Sequence, residues 1–191
     1  MDIFNTLTPE ALVDAIAKQM QQLIATGGDD VVRLRKELEK TPNDIETWFN
    51  LGLALNQAGL QYEDLAVRLA ELRFSPDFQD ENMMPEEEMP LLKVEVSEGN
   101  VLYTEALQAF DHVLELDPNY YGVACQKGVV YGNLQDYENA EKCYLKALQD
   151  DEEDFSAAYY LSLTYRDMGK DDLADKYLQL ADQLNDGEPL A

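Results

Sequence analysis

One spacing recurs along the second half of this chain, and it constrains the fold more than any single motif does. Ala106, Ala140 and Ala174 stand 34 residues apart, as do Phe110, Tyr144 and Leu178, and Val113, Ala147 and Ala181. Gly128 and Ser162, Tyr131 and Tyr165, and Tyr103 and Tyr137 keep the same offset. A unit of this length cannot cover its own apolar face, so units must stack and bury one continuous core between them. The residue types suit helices pressed together. Gly128, Ser162, Ala106, Ala140 and Ala174 leave room for close approach, and Tyr131, Tyr165, Phe110 and Tyr144 fill the space left. Polar stretches at 133–136 and 167–171 read as turns, and Asp117-Pro118-Asn119 ends one helix and opens the next connection.

These positions resemble the tetratricopeptide repeat, a helix–turn–helix unit of about 34 residues. Trp48-x2-Leu51-Gly52-x2-Leu55 carries the first half of its pattern, and Ala106-x3-Phe110 followed by Pro118 carries the second. Ala140-x3-Tyr144 and Ala174-x3-Leu178 repeat the second half without the proline, Glu152 standing where it is expected. The resemblance covers residues 43–74 and 99–184 well and residues 8–42 weakly. It implies an all-α fold: a right-handed α-solenoid of antiparallel helix hairpins, with an irregular acidic insertion.

The chain divides accordingly. Residues 1–42 read as an N-terminal helical hairpin with helices over 9–25 and 30–40, starting at Thr8-Pro9-Glu10 and broken at Gly27-Gly28. It is either a degenerate repeat or a plain amphipathic hairpin. Residues 43–74 read as a repeat with helices 45–58 and 61–74 folded back at Gly59-Leu60. Tyr62, Leu65, Leu69 and Leu72 reproduce the mutual spacing of Tyr103, Ala106, Phe110 and Val113, and so short a connection favours an immediate hairpin. The competing division pairs helix 45–58 with helix 99–117 and makes 60–101 an insertion. Residues 75–98 are an acidic, proline- and methionine-rich loop or a degenerate helix, with Pro76, Pro85 and Pro90 and no base before Lys93. Residues 99–118 are the back helix of the interrupted repeat. Two whole repeats follow at 119–152 and 153–186, with helices over 121–133, 137–149, 155–168 and 171–184, then a tail at 187–191.

Charge restricts the partners. The formal net charge is -25, from 39 acidic and 14 basic side chains. Phosphate backbones and anionic membranes would be repelled, so nucleic acid and membrane are excluded, while basic proteins are steered in. No apolar run approaches membrane-spanning length, and Met1-Asp2-Ile3-Phe4 lacks a basic n-region, which points to the cytoplasm. Cys125 and Cys143 make no disulfide framework, and with His112, the only histidine, they make no zinc pattern. Asp150-Asp151-Glu152-Glu153-Asp154 lacks the alternating ligands and glycine of a calcium loop and reads as a solvated turn. No catalytic constellation and no cofactor site is expected.

The resemblance implies a concave groove lined by the front helix of each repeat. Carried onto this chain, the groove positions are Phe49, Asn50, Leu53 and Asn56; Cys125, Gln126, Val129 and Asn133; and Tyr159, Tyr160, Leu163 and Arg166. The positions where some family members place lysines to clamp a carboxylate hold Phe49, Cys125, Ser156 and Tyr159, which argues against that clamp. The groove suits a protein or peptide segment that is apolar with basic flanks. The expected function is a non-enzymatic adaptor or scaffold; the alternative is a dedicated chaperone similar to the acidic three-repeat chaperones of bacterial secretion systems. The uncovered face of the last helix also suits self-association.

Overall fold

The computed structural model describes residues 9–74 and 99–185. The expectations for the start at Thr8, for the 75–98 segment and for the 187–191 tail lie outside the described residues. Those residues form eight helices: α1 (Pro9–Thr26), α2 (Asp29–Leu38), α3 (Ile45–Phe74), α4 (Asn100–Leu116), α5 (Val123–Asn133), α6 (Tyr137–Asp150), α7 (Phe155–Asp167) and α8 (Asp171–Leu184). They stack as a right-handed α-solenoid, and no strand is present among the described residues. Three antiparallel pairs, α3·α4, α5·α6 and α7·α8, share the most extensive interfaces, and each back helix also packs on the next front helix.

Acids start several of these helices. The Asp44 carboxylate accepts the Thr47 amide at 3.1 Å before α3, Asp136 accepts the Asn139 amide at 3.2 Å at α6, and Asp154 accepts the Ala157 amide at 2.9 Å at α7. Each satisfies a backbone donor that the first turn leaves open and meets the positive end of the helix dipole, a cap worth about 1 kcal/mol. Part of the negative charge is therefore structural. Asp154, read from sequence as part of a solvated turn, is one of these caps.

Close packing explains the small residues. A Cβ on Gly52 would stand 2.5 Å from the Phe110 ring, and one on Gly128 would stand 2.5 Å from the Tyr144 ring. These two contacts are the same repeat contact in two units. In the third, Ser162 holds the small position and is fully buried, its hydroxyl donating to the Tyr159 carbonyl at 2.7 Å. Ala106, Ala140, Ala174 and Ala181 are buried at the corresponding interfaces.

The first repeat corrects the sequence reading. Residues 45–58 and 61–74 do not fold back on one another; they are one helix of 30 residues, roughly 45 Å long. Gly59 makes no turn. It lies inside α3, with the Tyr103 ring where a Cβ would sit, while Tyr62 packs on Gly99. From Gly52 to Gly59 is seven residues, and the rings they meet, Phe110 and Tyr103, are seven residues apart in the opposite sense. That register pairs α3 with α4, the competing division. Residues 61–72 contain neither a proline nor a glycine, so nothing stops the helix.

The N-terminal helices correct a second expectation. α1 and α2 do not pack as a hairpin: they meet each other little, and both lie against α3. The length of α3 allows this. Ile16, Met20 and Leu23 of α1 share a core with Tyr62, Leu65 and Leu69, and Val31, Leu34 and Leu38 of α2 join Leu51 and Leu55 in the same cluster. Gly27 and Gly28 join the two helices, with φ of 72° and 89°, where a Cβ would be strained. A second cluster, built on Cys125, Ala140, Tyr144, Leu161 and Tyr165, continues the core into the last two repeats.

Candidate protein-binding groove

The front helices α3, α5 and α7 lie side by side. Positions four, seven and eight residues apart on a helix share one face, so the groove positions of each front helix form one stripe. The structure places them as follows. Asn50, Tyr160 and Arg166 are exposed, while Phe49, Leu53, Asn56, Gln126, Val129, Asn133, Tyr159 and Leu163 are half-buried. Cys125 is 3% exposed and belongs to the second core cluster, so it is not a groove residue. Burial pushes its thiol up to about 12, with the Asp154 and Cys143 charges adding to that.

Phe49 serves packing as much as surface. Its ring lies 5.8 Å from Phe110 and 5.4 Å from Tyr120, against the first core cluster. Asn56 and Asn133 are brought together, the Asn133 amide donating to the Asn56 oxygen at 2.9 Å between α3 and α5. This pair spans 77 residues of sequence and ties two front helices together. In α7, Tyr159 stacks on Phe155 at 6.0 Å and meets Tyr160 edge-on at 5.6 Å, while Tyr160 stacks over Tyr144 at 6.1 Å. Tyr160 remains 39% exposed. The result is a run of aromatic rings held at one edge and open at the other.

Acids border these rings. Tyr121 donates its hydroxyl to Asp151 at 3.0 Å. That bond, with the Asp154 charge adding to it, raises the Tyr121 phenol above its ordinary range. Tyr120 is raised as well, by burial and then by the Glu46, Asp117 and Asp44 charges. The residue pattern alone does not point to Tyr120 and Tyr121, because they stand in the connection before α5; the acids flanking that connection are the only signal. His112, which the sequence assigns to the surface or to packing, lies tilted against Trp48 with ring centres 4.4 Å apart and bonds Glu115 at 3.0 Å. No group of residues among those described is arranged to hold a metal ion, and none of the described helices is long and apolar enough to cross a membrane.

Residues 121–154 match the tetratricopeptide repeat family model. A stretch of 83 residues, 44% of this chain, is 25% identical to anaphase-promoting complex subunit 3 of Schizosaccharomyces pombe (strain 972 / ATCC 24843), and spans only 12% of that protein. Two structures of MamA mutants are similar in fold. One gives a TM-score of 0.54 at 18% identity, covering 96% of this chain and 80% of that one. The other gives 0.52 at 18% identity, covering 90% and 77%. At such identity the likeness concerns fold alone. The matched unit is the α5·α6 hairpin, and its small-on-aromatic contact recurs in α3·α4, while in α7·α8 the small position, Ser162, is buried. The chain carries a tetratricopeptide repeat at residues 121–154, set within a stack of antiparallel helix pairs.

Proposed function

We propose that this chain is a non-enzymatic adaptor that holds a segment of a partner protein on the face formed by α3, α5 and α7. The segment is apolar with basic flanks, bound as an extended peptide or a helix. The observation that carries the reading is the aromatic run of α7, in which Tyr159 and Tyr160 are anchored on Phe155 and Tyr144 yet still reach solvent. Rings held in advance supply contact area at little entropic cost. Truncating an aromatic anchor at an interface commonly costs at least ~2 kcal/mol of binding. Asn50, exposed on the first front helix, supplies both a donor and an acceptor for a partner backbone. The acids beside Tyr120 and Tyr121 steer basic flanks toward the rings, an effect that salt weakens.

The test is the double variant Asn50→Ala/Tyr160→Ala, assayed against the partners recovered with wild type by affinity capture. Capture should fall while the melting curve stays close to wild type. Full capture by the double variant moves the site off this face. A single secreted client among the captured proteins marks a dedicated chaperone, and a resident assembly marks an adaptor.

A further inference from the structure

α3 outreaches the helices beside it, and its free length leaves an apolar stripe open. Asn56 of α3 bonds Asn133, the last residue of α5, and Tyr62 meets Gly99, just before α4 begins. Residues 63–74 extend α3 a further ~18 Å past that point. Tyr62, Leu65 and Leu69 are buried in the core shared with α1. The opposite face carries Leu60, 38% exposed, and Val67, 57% exposed. No other large aliphatic side chain among the described residues is as exposed as Val67.

The stripe has a fixed period. Leu53, Leu60 and Val67 stand seven residues apart, and Phe49, Asn56, Glu63 and Ala70 interleave with them at alternate steps of four and three. That is the seam of a heptad repeat, and on a straight helix it drifts by only about 20° per heptad. Such a seam matches the side-chain spacing of another helix, whereas an extended strand repeats every two residues. The flank of the seam carries Gln57, Asp64 and Glu71, all exposed, and neither lysine nor arginine. Arg68 lies farther round the helix than either acid. The acids suit an occupant with basic residues beside its apolar stripe. A second copy of this chain, net charge -25, would bring acid against acid.

We infer that this free length of α3, from Leu60 to Glu71, docks an amphipathic helix of a partner protein. The helix seats apolar residues of a seven-residue repeat on Leu60 and Val67 and turns lysine or arginine toward Asp64 and Glu71. The inference rests on the adaptor reading and deepens it: the occupant is a helix, not an extended peptide, and it reaches past the end of α5.

The probe is a labelled synthetic peptide, three repeats of Ile-Ala-Ala-Leu-Lys-Lys-Lys, titrated into the full chain and read by anisotropy and circular dichroism. Its control carries glutamate for every lysine. The lysine peptide should bind to saturation and gain helix, and the glutamate peptide should need about tenfold more chain. Leu60→Gln/Val67→Gln, at exposed positions, should weaken the lysine peptide about tenfold with an unchanged melting curve. Asp64→Lys/Glu71→Lys should weaken it too and favour the glutamate peptide. Asn50→Ala/Tyr160→Ala should leave it bound as in wild type, while the capture experiment on that variant reads the groove separately. No binding, equal affinity for both peptides, binding without helix gain, or binding untouched by the glutamines would each overturn the assignment. A lower melting temperature in the glutamine variant would overturn it by showing the face already covered by the chain itself. A wild-type dimer that the glutamines split would give the face to a second copy. Peptide binding lost only in the groove variant sinks this site and leaves the groove standing.

Discussion

Gly59 and Tyr103 are in contact: the tyrosine ring occupies the space in which a Cβ on Gly59 would stand. Glycine in mid-helix normally weakens it by up to about 1 kcal/mol relative to alanine. Here the fully buried ring reverses the balance, since overpacking such a site costs about 1–3 kcal/mol. Gly59→Ala should lower the urea midpoint of unfolding. In the double variant Gly59→Ala/Tyr103→Leu the loss should be smaller than the two single losses added, as expected of residues that touch.

Gln135 has the opposite problem. It carries φ of 58°, and Gly169, at the same position one repeat later, carries 69°. A left-handed backbone strains a residue with a Cβ by about 1 kcal/mol. Gln135→Gly should raise the melting temperature, the relieved strain outweighing the added freedom of the unfolded chain. A lowered melting temperature would show that the glutamine side chain contributes more than its conformation costs.

How far the sequence reveals the fold turns on that same position. Gly59, Gln135 and Gly169 occupy equivalent places in three units. In the last two the chain turns there on a left-handed residue, with Asp136 capping the new helix after Gln135 and Lys170 making no side-chain cap after Gly169, and in the first it runs straight on through α3. Periodicity locates α5 to α8 within a residue or two, since two whole units reinforce each other. It misplaces the partner of residues 45–58, because Tyr62, Leu65 and Leu69 mimic a back helix while they pack toward α1. The groove positions follow from the family resemblance, and of them Cys125 is buried; spacing alone does not distinguish a residue that faces the next repeat from one that faces water. The Arg35–Glu105 pair is not readable at all, because it joins residues 70 apart and only the folded stack brings them together.

Glu63 gives a pH-dependent test. Burial raises its carboxyl above the usual range, and the nearby Tyr103 only partly opposes this. A raised folded-state value means that the folded chain holds the proton more tightly than the unfolded one. Below the ordinary value of 4.5 the side chain is protonated in both states and contributes no difference. As pH climbs from there through the folded value, stability is lost, and at neutral pH the loss is complete. Glu63→Gln should therefore be more stable than wild type at neutral pH, with the gap closing in acid. Parallel urea titrations at the two pH values check this.

The thiols give a chemical test. Burial is the main cause that raises both Cys125, to about 12, and Cys143. Thiolate is scarce at neutral pH, so both should alkylate slowly in the folded chain. Cys125, the more buried, should be the slower of the two. Mass spectrometry after timed iodoacetamide exposure reads the order, and rapid native modification of Cys125 would contradict its placement in the core. In alkali the raised folded value predicts falling stability as pH passes from the ordinary 9 toward 12, where the unfolded thiol ionises first.

The unbroken run of α3 has a mechanical consequence. Sharp bends in helices need a proline, an inserted water or a similar defect, and α3 contains no proline between Ile45 and Phe74. α1, α2 and α4 are thus all fastened to a single stiff rod. None of the three can swing without carrying the others, so the first four helices should exchange amide protons and open as one cooperative block. The end pair α7·α8 is attached mainly through α6 and has no such rod, so it is the part of the stack free to fray alone.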